Sequence, residues 1–395
     1  MKMFDFASWS SRDLAMNTLT GGGLNYEDVR LIECDGTSAL GLFRRKKTGY
    51  RTKFMDALED AATGNEYCIR VRVKLGVGCT VDTANIVIGV TDPFALTPAF
   101  FSSPVSVTKD EWGTIEFTHT IADDAYSSIS VEQDKNDKTV AEEILVSEIK
   151  TELLHRAARE KGIVDTRRTL WLIGDSITCH YQKSALTRGW GMYIGDRLDD
   201  AKIKVCNMAR AGFSTKSFAE TDGLAIWTYV CRRMKAGDYL IVSLGINDHS
   251  SSFSFRRTSI EEYAENLAVF ADEAHRKGVT MIFVTSTVTV ESNPAVNFRR
   301  ERAEAMMRVA AQKKAEGHDV TCLDLNAHML AAIREIEDKE GYDRLVKTYF
   351  SEKKNEAGET VSDTTHHREA GSKWVASMIM ELLSQTDCSL WNYRK

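Results

Sequence analysis

The stretch Leu170-Trp171-Leu172-Ile173-Gly174-Asp175-Ser176-Ile177-Thr178 decides the fold of this chain. The apolar run from Thr169 to Ile173 predicts a buried strand, which ends abruptly at Gly-Asp-Ser. Open α/β sheets place their chemistry in the loops after such strands, because side chains there leave the packed core and face a crevice. Ser176 is therefore a candidate nucleophile, provided that the chain also supplies a base, an orienting carboxylate and donors for an oxyanion.

Downstream of this strand, short apolar runs alternate with longer amphipathic segments. Ser259 and Glu262 fit a capping box at the start of the first long segment, and Gly278 fits the end of that helix. The alternation implies a parallel sheet with helices on both faces, so an α/β domain of three-layer α/β/α type is predicted for residues 165–395. Further strands are predicted at 203–206, 239–244, 279–285 and 319–325, and helices at 259–277, about 295–316, after 325 to about 339, and about 368–383.

Residues 1–155 have a different pattern. Short runs with partial alternation are bounded by Gly, Asp, Asn, Ser or Pro, which predicts an antiparallel β-sandwich. This domain is either a carbohydrate-binding or galactose-binding-like module or a structural sandwich that packs against the catalytic domain. A linker is expected at about 150–168, with helical composition in 152–160. The predicted strands lie at 67–75, 85–90, 113–119, 128–132 and 144–149.

Composition excludes several classes of protein. The 395 residues are 43% apolar and carry a net charge of −6, and this mild acidity argues against a nucleic-acid partner. No run of 18 apolar residues exists, so no membrane span is expected. Eight cysteines without a CxxC pair predict free thiols in a reducing compartment. The N-terminal residues show no secretory signal, so we expect a cytoplasmic enzyme, or a secreted one if a leader has been removed. The oligomeric state stays open.

Two further loops after predicted strands could supply donors for an oxyanion. Gly212 follows the strand at 203–206, and a glycine can bring its backbone N–H close to a ligand because it has no Cβ. Asn247 follows the strand at 239–244, and its side-chain amide is a neutral donor that suits an oxyanion. Each loop by itself also fits an ordinary turn.

A base and its orienting carboxylate could come from one loop near the C-terminus, Asp363-Thr364-Thr365-His366-His367. Asp363 would accept from one ring nitrogen of His366 and leave the other nitrogen facing Ser176, which makes the imidazole a general base for a hydroxyl. The spacing of three residues favours His366 over His367. The alternative is a plain helix cap at Asp363 beside an ordinary histidine.

Together these four stretches resemble the blocks of the SGNH (GDSL-like) hydrolase superfamily, over roughly residues 169–385. The first block is matched by Gly174-Asp175-Ser176, the second by Gly212, the third by Gly245-Ile246-Asn247-Asp248 and the last by Asp363-x-x-His366. The resemblance implies that Ser176 is the nucleophile, His366 the base and Asp363 its partner. It also implies an oxyanion hole made of the Ser176 and Gly212 backbone N–H groups and the Asn247 amide.

Within this superfamily the chain resembles the rhamnogalacturonan acetylesterase branch. The hints are Gly189-Trp190-Gly191, the stretch 207–218, and Asp363-Thr-Thr-His366 followed by Gly371. The branch tends to have an arginine after the loop glycine, where this chain has Phe213. The resemblance implies a serine carbohydrate esterase that removes O-acetyl groups from plant-cell-wall oligosaccharides or polysaccharides, with rhamnogalacturonan favoured over xylan.

Several neighbouring residues have alternative roles. Asp175 and Asp248 are expected to brace their loops rather than to catalyse. Trp190 and Phe213 are candidate substrate contacts, although Trp190 fits core packing about equally well. Five arginines are expected to be mostly solvated, and one of them could contact an acidic sugar: Arg256, Arg257, Arg299, Arg300 and Arg302.

The reaction predicted from these residues needs no cofactor and no metal, and the sequence shows no cluster with the spacing of metal ligands. One alternative is a short-acyl lipase or thioesterase on the same scaffold. Another is a sugar-binding protein whose esterase domain is inert. A third is acetyl transfer to a sugar instead of water.

Overall fold

The protein is described here by a computed structural model that covers residues 1–21, 26–95, 98–158, 165–182, 184–221, 223–249, 254–290, 299–355 and 357–395. The chain divides into two compact units. One contains residues 1–163 with 220–229, and the other contains residues 164–219 with 230–395.

The first unit is built from antiparallel strands. The elements are β1 Lys2–Asp5, α1 Ser11–Asn17, β2 Thr18–Gly21, β3 Val29–Cys34, β4 Thr37–Leu42, β5 Arg51–Phe54, β6 Glu66–Leu75, β7 Thr83–Thr91, β8 Phe100–Phe101, β9 Val105–Thr108, β10 Gly113–Thr120, β11 Ser128–Gln133 and β12 Ile144–His155. The described strands form one sheet in the order β10-β6-β12-β4-β3, with β1 paired to β12, and a second in the order β2-β5-β11-β7-β8, with β9 paired to β7.

Alternating side chains from both sheets form the core of this unit. Ile69, Val71 and Val73 of β6 are fully buried, and so are Ile86 and Ile88 of β7. Successive side chains of a strand point to opposite faces, so this alternation places one face of each sheet on the shared core. The five strands predicted in this region are present, and the antiparallel β-sandwich is confirmed.

The predicted helical composition at 152–160 is wrong for its first part, because β12 continues to His155 and pairs with β6 along its length. Residues 156–158 are not helical either. Residues 159–164 lie outside the described residues, so the end of that prediction and part of the predicted linker are not described.

The second unit alternates strands and helices. Its elements, together with α2 and α3, whose residues are divided between the units, are β13 Arg168–Gly174, β14 Ile203–Asn207, α2 Thr215–Glu220, α3 Leu224–Arg233, β15 Tyr239–Ser243, α4 Ile260–Arg276, β16 Thr280–Val284, α5 Arg300–Ala315, β17 Val320–Leu323, α6 Leu325–Glu340, α7 Tyr342–Tyr349, β18 Phe350–Lys354, β19 Thr360–His367 and α8 Glu369–Ser384. Five of the strands form a parallel sheet in the order β14-β13-β15-β16-β17.

Every residue of β15 and β16 is buried, as expected for strands of a parallel sheet that helices cover on both faces. The predicted three-layer α/β/α domain is confirmed. The capping box of α4 is also present, with Ser259 Oγ accepting from the Glu262 N–H and the Glu262 carboxylate accepting from the Ser259 N–H. None of the helices in the described ranges has both the length and the apolar character that a membrane crossing requires.

The strand order determines where a site can form. The chain leaves β13 for β14 on one side and returns to β15 on the other, so the carboxyl ends of β13, β14 and β15 border the point where the connections diverge. Ligand crevices of open parallel sheets form at such points. Ser176, Gly212 and Asn247 follow these three strands.

Candidate active site

A tight turn at the end of β13 presents Ser176. The Asp175 C=O accepts from the N–H groups of Thr178 and Cys179 at 3.1 and 3.0 Å, and Asp175 Oδ1 accepts from the Ile177 N–H at 2.9 Å. The turn is also held from outside, because the Tyr181 hydroxyl donates to the Ser176 C=O at 2.9 Å. These contacts fix the backbone of Ser176 while its side chain stays at the carboxyl edge of the sheet.

Asp363 and His366 lie on β19, and not on a loop as the sequence suggested. β19 pairs with β18 in a hairpin whose register shifts, so that consecutive residues of β18, Phe350 and Ser351, face His367 and Asp363. The three residues 364–366 therefore bulge from the ladder, and a bulge of this kind redirects side chains. It turns His366 towards Ser176.

The three predicted triad residues form a continuous chain of hydrogen-bonding contacts from Asp363 through His366 to Ser176. His366 Nε2 lies 2.9 Å from Ser176 Oγ, and His366 Nδ1 lies 2.9 Å from Asp363 Oδ2. Asp363 Oδ1 accepts from the N–H groups of Thr365 and His366, both at 3.0 Å. Since the carboxylate has only acceptors, it orients the ring with Nδ1–H towards itself and leaves Nε2 to accept from the serine.

The electrostatics favour an ionised Asp363. Burial acts to raise its pKa, but hydrogen bonds from the His366 ring and from the backbone N–H groups outweigh burial and hold the pKa well below its usual range. The second histidine of the doublet differs. His367 is fully buried, neither ring nitrogen has a hydrogen-bond partner among the described residues, and burial lowers its pKa to about 3.

The glycine loop after β14 is hydrogen-bonded directly to the turn that presents Ser176. The Asn207 amide donates to the Thr178 C=O at 2.8 Å, and the Arg210 N–H donates to the Gly174 C=O at 2.9 Å. Gly212 has φ of +82°, a left-handed conformation that favours glycine. Asn247 is partly exposed, and its Nδ2 donates to the Phe213 C=O at 2.9 Å, which holds the amide beside this loop.

Two buried carboxylates brace these loops. Asp248 accepts from the Thr215 N–H and hydroxyl and from the Thr258 hydroxyl. Burial raises the pKa of Asp248 to about 6 and that of Asp175 to about 7, against the hydrogen bonds that lower both. Their contacts agree with the expected bracing role.

Both predicted substrate contacts, Trp190 and Phe213, have buried side chains. Trp190 is 0% exposed and lies in the core of the second unit, where its backbone N–H donates to the Ile177 C=O. Glycines flank it because Cβ atoms at 189 and 191 would collide with the backbone of Thr178 and Cys179. Phe213 is 8% exposed and packs edge-on against Phe218. Trp190 is therefore a core residue in this structure, and substrate contact by Phe213 stays a prediction.

Some residues near these loops were missed or misjudged from sequence. Arg302 was expected to be solvated, but it is buried and donates to the C=O groups of Asp248 and Thr258, both at 2.9 Å. The guanidinium of Arg256 packs against Gly212. Tyr181, five residues after Ser176, carried no sequence signal beyond its proximity to Ser176.

One group in the described residues has donors that a metal ion could use: Asp272, Glu316 and His318. Lys313 Nζ lies between its two carboxylates, 2.6 Å from Asp272 and 2.9 Å from Glu316. The Lys313 ammonium group therefore already pairs with both carboxylates of this cluster.

Comparisons with known proteins place this unit in context. The model of the GDSL-like lipase/acylhydrolase family matches residues 172–372. The rhamnogalacturonan acetylesterase RhgT of Bacillus subtilis (strain 168) is 28% identical over 214 residues, 54% of this chain and 88% of RhgT. The uncharacterized esterase YxiM of the same strain is 26% identical over 227 residues, 56% of this chain and 53% of YxiM.

Among solved structures, the crystal structure of the YxiM protein of Bacillus subtilis is similar to this chain with a TM-score of 0.46 and 19% identity. The similarity covers 95% of this chain and 92% of that one.

Proposed function

The chain belongs to the GDSL-like lipase/acylhydrolase family and is a carboxylic ester hydrolase, and on that premise we propose that it removes O-acetyl groups from plant-cell-wall oligosaccharides. The favoured substrate is acetylated rhamnogalacturonan, with acetylated xylan second. Ser176 is the nucleophile, His366 the general base and Asp363 its orienting partner. The observation that carries the proposal is the chain of contacts from Asp363 through His366 to Ser176 Oγ, each 2.9 Å long.

Acylation begins when His366 Nε2 takes the hydroxyl proton of Ser176 and Oγ attacks the acetyl carbonyl carbon. The carbonyl oxygen becomes an oxyanion, which the N–H groups of Ser176 and Gly212 and the amide of Asn247 stabilise. The bond from the carbonyl carbon to the sugar oxygen then breaks, and His366 returns its proton to that oxygen. Ionised Asp363 stabilises the imidazolium that exists between the two proton transfers.

Deacylation repeats these steps with water. His366 removes a proton from the water, the resulting oxygen attacks the acetyl-serine, and the oxyanion forms in the same hole. Collapse releases acetate and returns the proton to Ser176 Oγ. Every proton transfer uses one ring nitrogen, because the other stays bonded to Asp363.

The acetyl group and the pectic substrate are supported by similarity rather than by geometry. RhgT carries the name of a rhamnogalacturonan acetylesterase, and the similarity covers 54% of this chain and 88% of RhgT. A cytoplasmic location forms part of the proposal, since all eight cysteines are free thiols, as is usual in a reducing compartment.

The test is acetate release from acetylated rhamnogalacturonan oligosaccharides beside acetylated xylan oligosaccharides, with Ser176→Ala as the blank. We expect release from the pectic substrate that the variant loses. Release from xylan alone would retain the triad roles and overturn the substrate. Release from neither, with activity rising on longer acyl esters, would favour a short-acyl lipase or thioesterase.

A further inference from the structure

An arginine packs against the glycine loop of the proposed oxyanion hole. A Cβ placed on Gly212 would lie 2.7 Å from Nη1 of Arg256, 3.0 Å from its Cζ and 3.1 Å from its Nη2. The guanidinium thus occupies the space that a side chain at 212 would need. Because a Cβ lies about 3 Å at most from its own backbone nitrogen, Nη1 lies within about 6 Å of the Gly212 nitrogen.

Neighbouring contacts fix the position of this arginine. Its Cζ lies 4.9 Å from the centre of the Phe255 ring, in the range of a cation–π contact. Two residues later, the Thr258 N–H donates to the Asp248 C=O at 3.1 Å, and the Thr258 hydroxyl donates to Asp248 Oδ1. Arg302 Nη2 donates to the Thr258 C=O at 2.9 Å. The segment that carries Arg256 is therefore anchored to the loop that carries Asn247.

The chemistry of a guanidinium at this place points to an anionic substrate. It presents a planar fork of N–H donors that matches a carboxylate, and such charge-assisted pairs are among the stronger hydrogen bonds. Arg256 is partly exposed, so a substrate can reach it. The distance between Arg256 Nη1 and the Gly212 nitrogen suits a substrate carboxylate on the sugar ring that carries the scissile ester, or on the adjacent ring.

We propose that Arg256 is a specificity residue that binds a carboxylate of the substrate, so that the enzyme prefers acetyl esters on uronic-acid sugars. This inference rests on the proposed function and names the residue that would select the acidic sugar. The missing Cβ of Gly212 has two consequences in this proposal. It leaves the backbone N–H accessible to the oxyanion, and it leaves space for the guanidinium of Arg256.

The test compares two substrates that differ only in charge: an acetylated uronic-acid oligosaccharide and the same compound with its carboxyl groups converted to amides. The quantity measured is the ratio of their kcat/KM values. We expect Arg256→Gln to lower this ratio by about 10- to 100-fold. Arg256→Lys, which keeps the charge but loses the fork, should lower it less. The matched control is Arg257→Gln, since Arg257 is the exposed neighbour and should keep the wild-type ratio.

A second measurement separates this inference from the proposed function. Hydrolysis of a neutral aryl acetate is inhibited with the deacetylated uronic-acid oligosaccharide and with its amide. Stronger inhibition by the acid than by the amide, with this difference lost in Arg256→Gln, would support the role of Arg256. Failure to cleave either sugar ester would refute the proposed function and leave this inhibition result unaffected. Equal inhibition by acid and amide, or an equal loss on both esters in Arg256→Gln, would overturn the role of Arg256.

Discussion

Replacing Asp363 with asparagine tests the most specific contact of the proposed triad. Asp363 accepts three hydrogen bonds, two from backbone N–H groups and one from His366 Nδ1. Asparagine has one acceptor oxygen. If that oxygen keeps the two backbone bonds, the amide NH₂ faces Nδ1, and the ring adopts the tautomer with its proton on Nε2. His366 then no longer accepts the proton of Ser176.

The expected loss in kcat is about 10³–10⁴-fold, since the geometry survives but the tautomer is wrong. This corresponds to about 4–5.5 kcal/mol of transition-state stabilisation. Steady-state hydrolysis of an aryl acetate measures it, and Asp343→Asn, at an exposed carboxylate in the first turn of α7, is the matched control. A loss below about tenfold would refute the assignment of Asp363 as the orienting partner.

The same substitution has a pH signature in stability. Hydrogen bonds hold the pKa of Asp363 below its unfolded value, so the ionised form stabilises the fold at neutral pH, and this contribution is lost as the pH falls. The difference in unfolding midpoint between wild type and Asp363→Asn should therefore narrow below about pH 4. A difference that is constant from pH 7 to pH 3 would contradict this.

Three further substitutions test other parts of the site. Asn247→Ala should lower kcat by about 10²–10³-fold with little change in KM, because one oxyanion donor is lost, and a fall below threefold would remove Asn247 from the hole. Burial lowers the pKa of His367 to about 3, so between this value and pH 6.5 the unfolded protein binds a proton that the folded protein does not. The free energy of unfolding should therefore fall by about 1.4 kcal/mol for each pH unit below 6.5. His367→Leu should remove this contribution from the pH dependence measured by urea unfolding, and an unchanged pH dependence would refute the prediction. Arg302→Met should lower the free energy of unfolding by about 2–4 kcal/mol, since the C=O groups of Asp248 and Thr258 lose their donor. The control is Arg308→Met, at an exposed position on the same helix, which should leave the free energy of unfolding nearly unchanged. Equal losses in the two variants would contradict the bracing role of Arg302.

Local signals were sufficient for the strand ends and for the helix α4. The apolar run before Gly174 and the capping box at Ser259 depend on neighbouring residues only, and both are present in the structure. The spacing of Asp363 and His366 also predicted their contact, because three residues suffice to bring a carboxylate to a ring nitrogen.

Features that depend on distant pairing were not predictable. The bulge that turns His366 towards Ser176 exists because β18 pairs with β19, and neither strand has a strong pattern of its own. Trp190 was expected to be equally suited to substrate and core, and only its contact with Ile177 and the packing of its flanking glycines decide for the core. The burial of Arg302 depends on carbonyl groups that are more than forty residues away in sequence.

The central claim is that Ser176 carries the acetyl group during turnover. Rapid quenching of the wild-type protein during hydrolysis of an aryl acetate, followed by peptide mass mapping, tests it directly. The proposed mechanism predicts one acetyl group on the peptide that contains Ser176, at Ser176 itself, and no acetyl group and no turnover in Ser176→Ala. An acetyl group on another residue, or undiminished hydrolysis by Ser176→Ala, would contradict it.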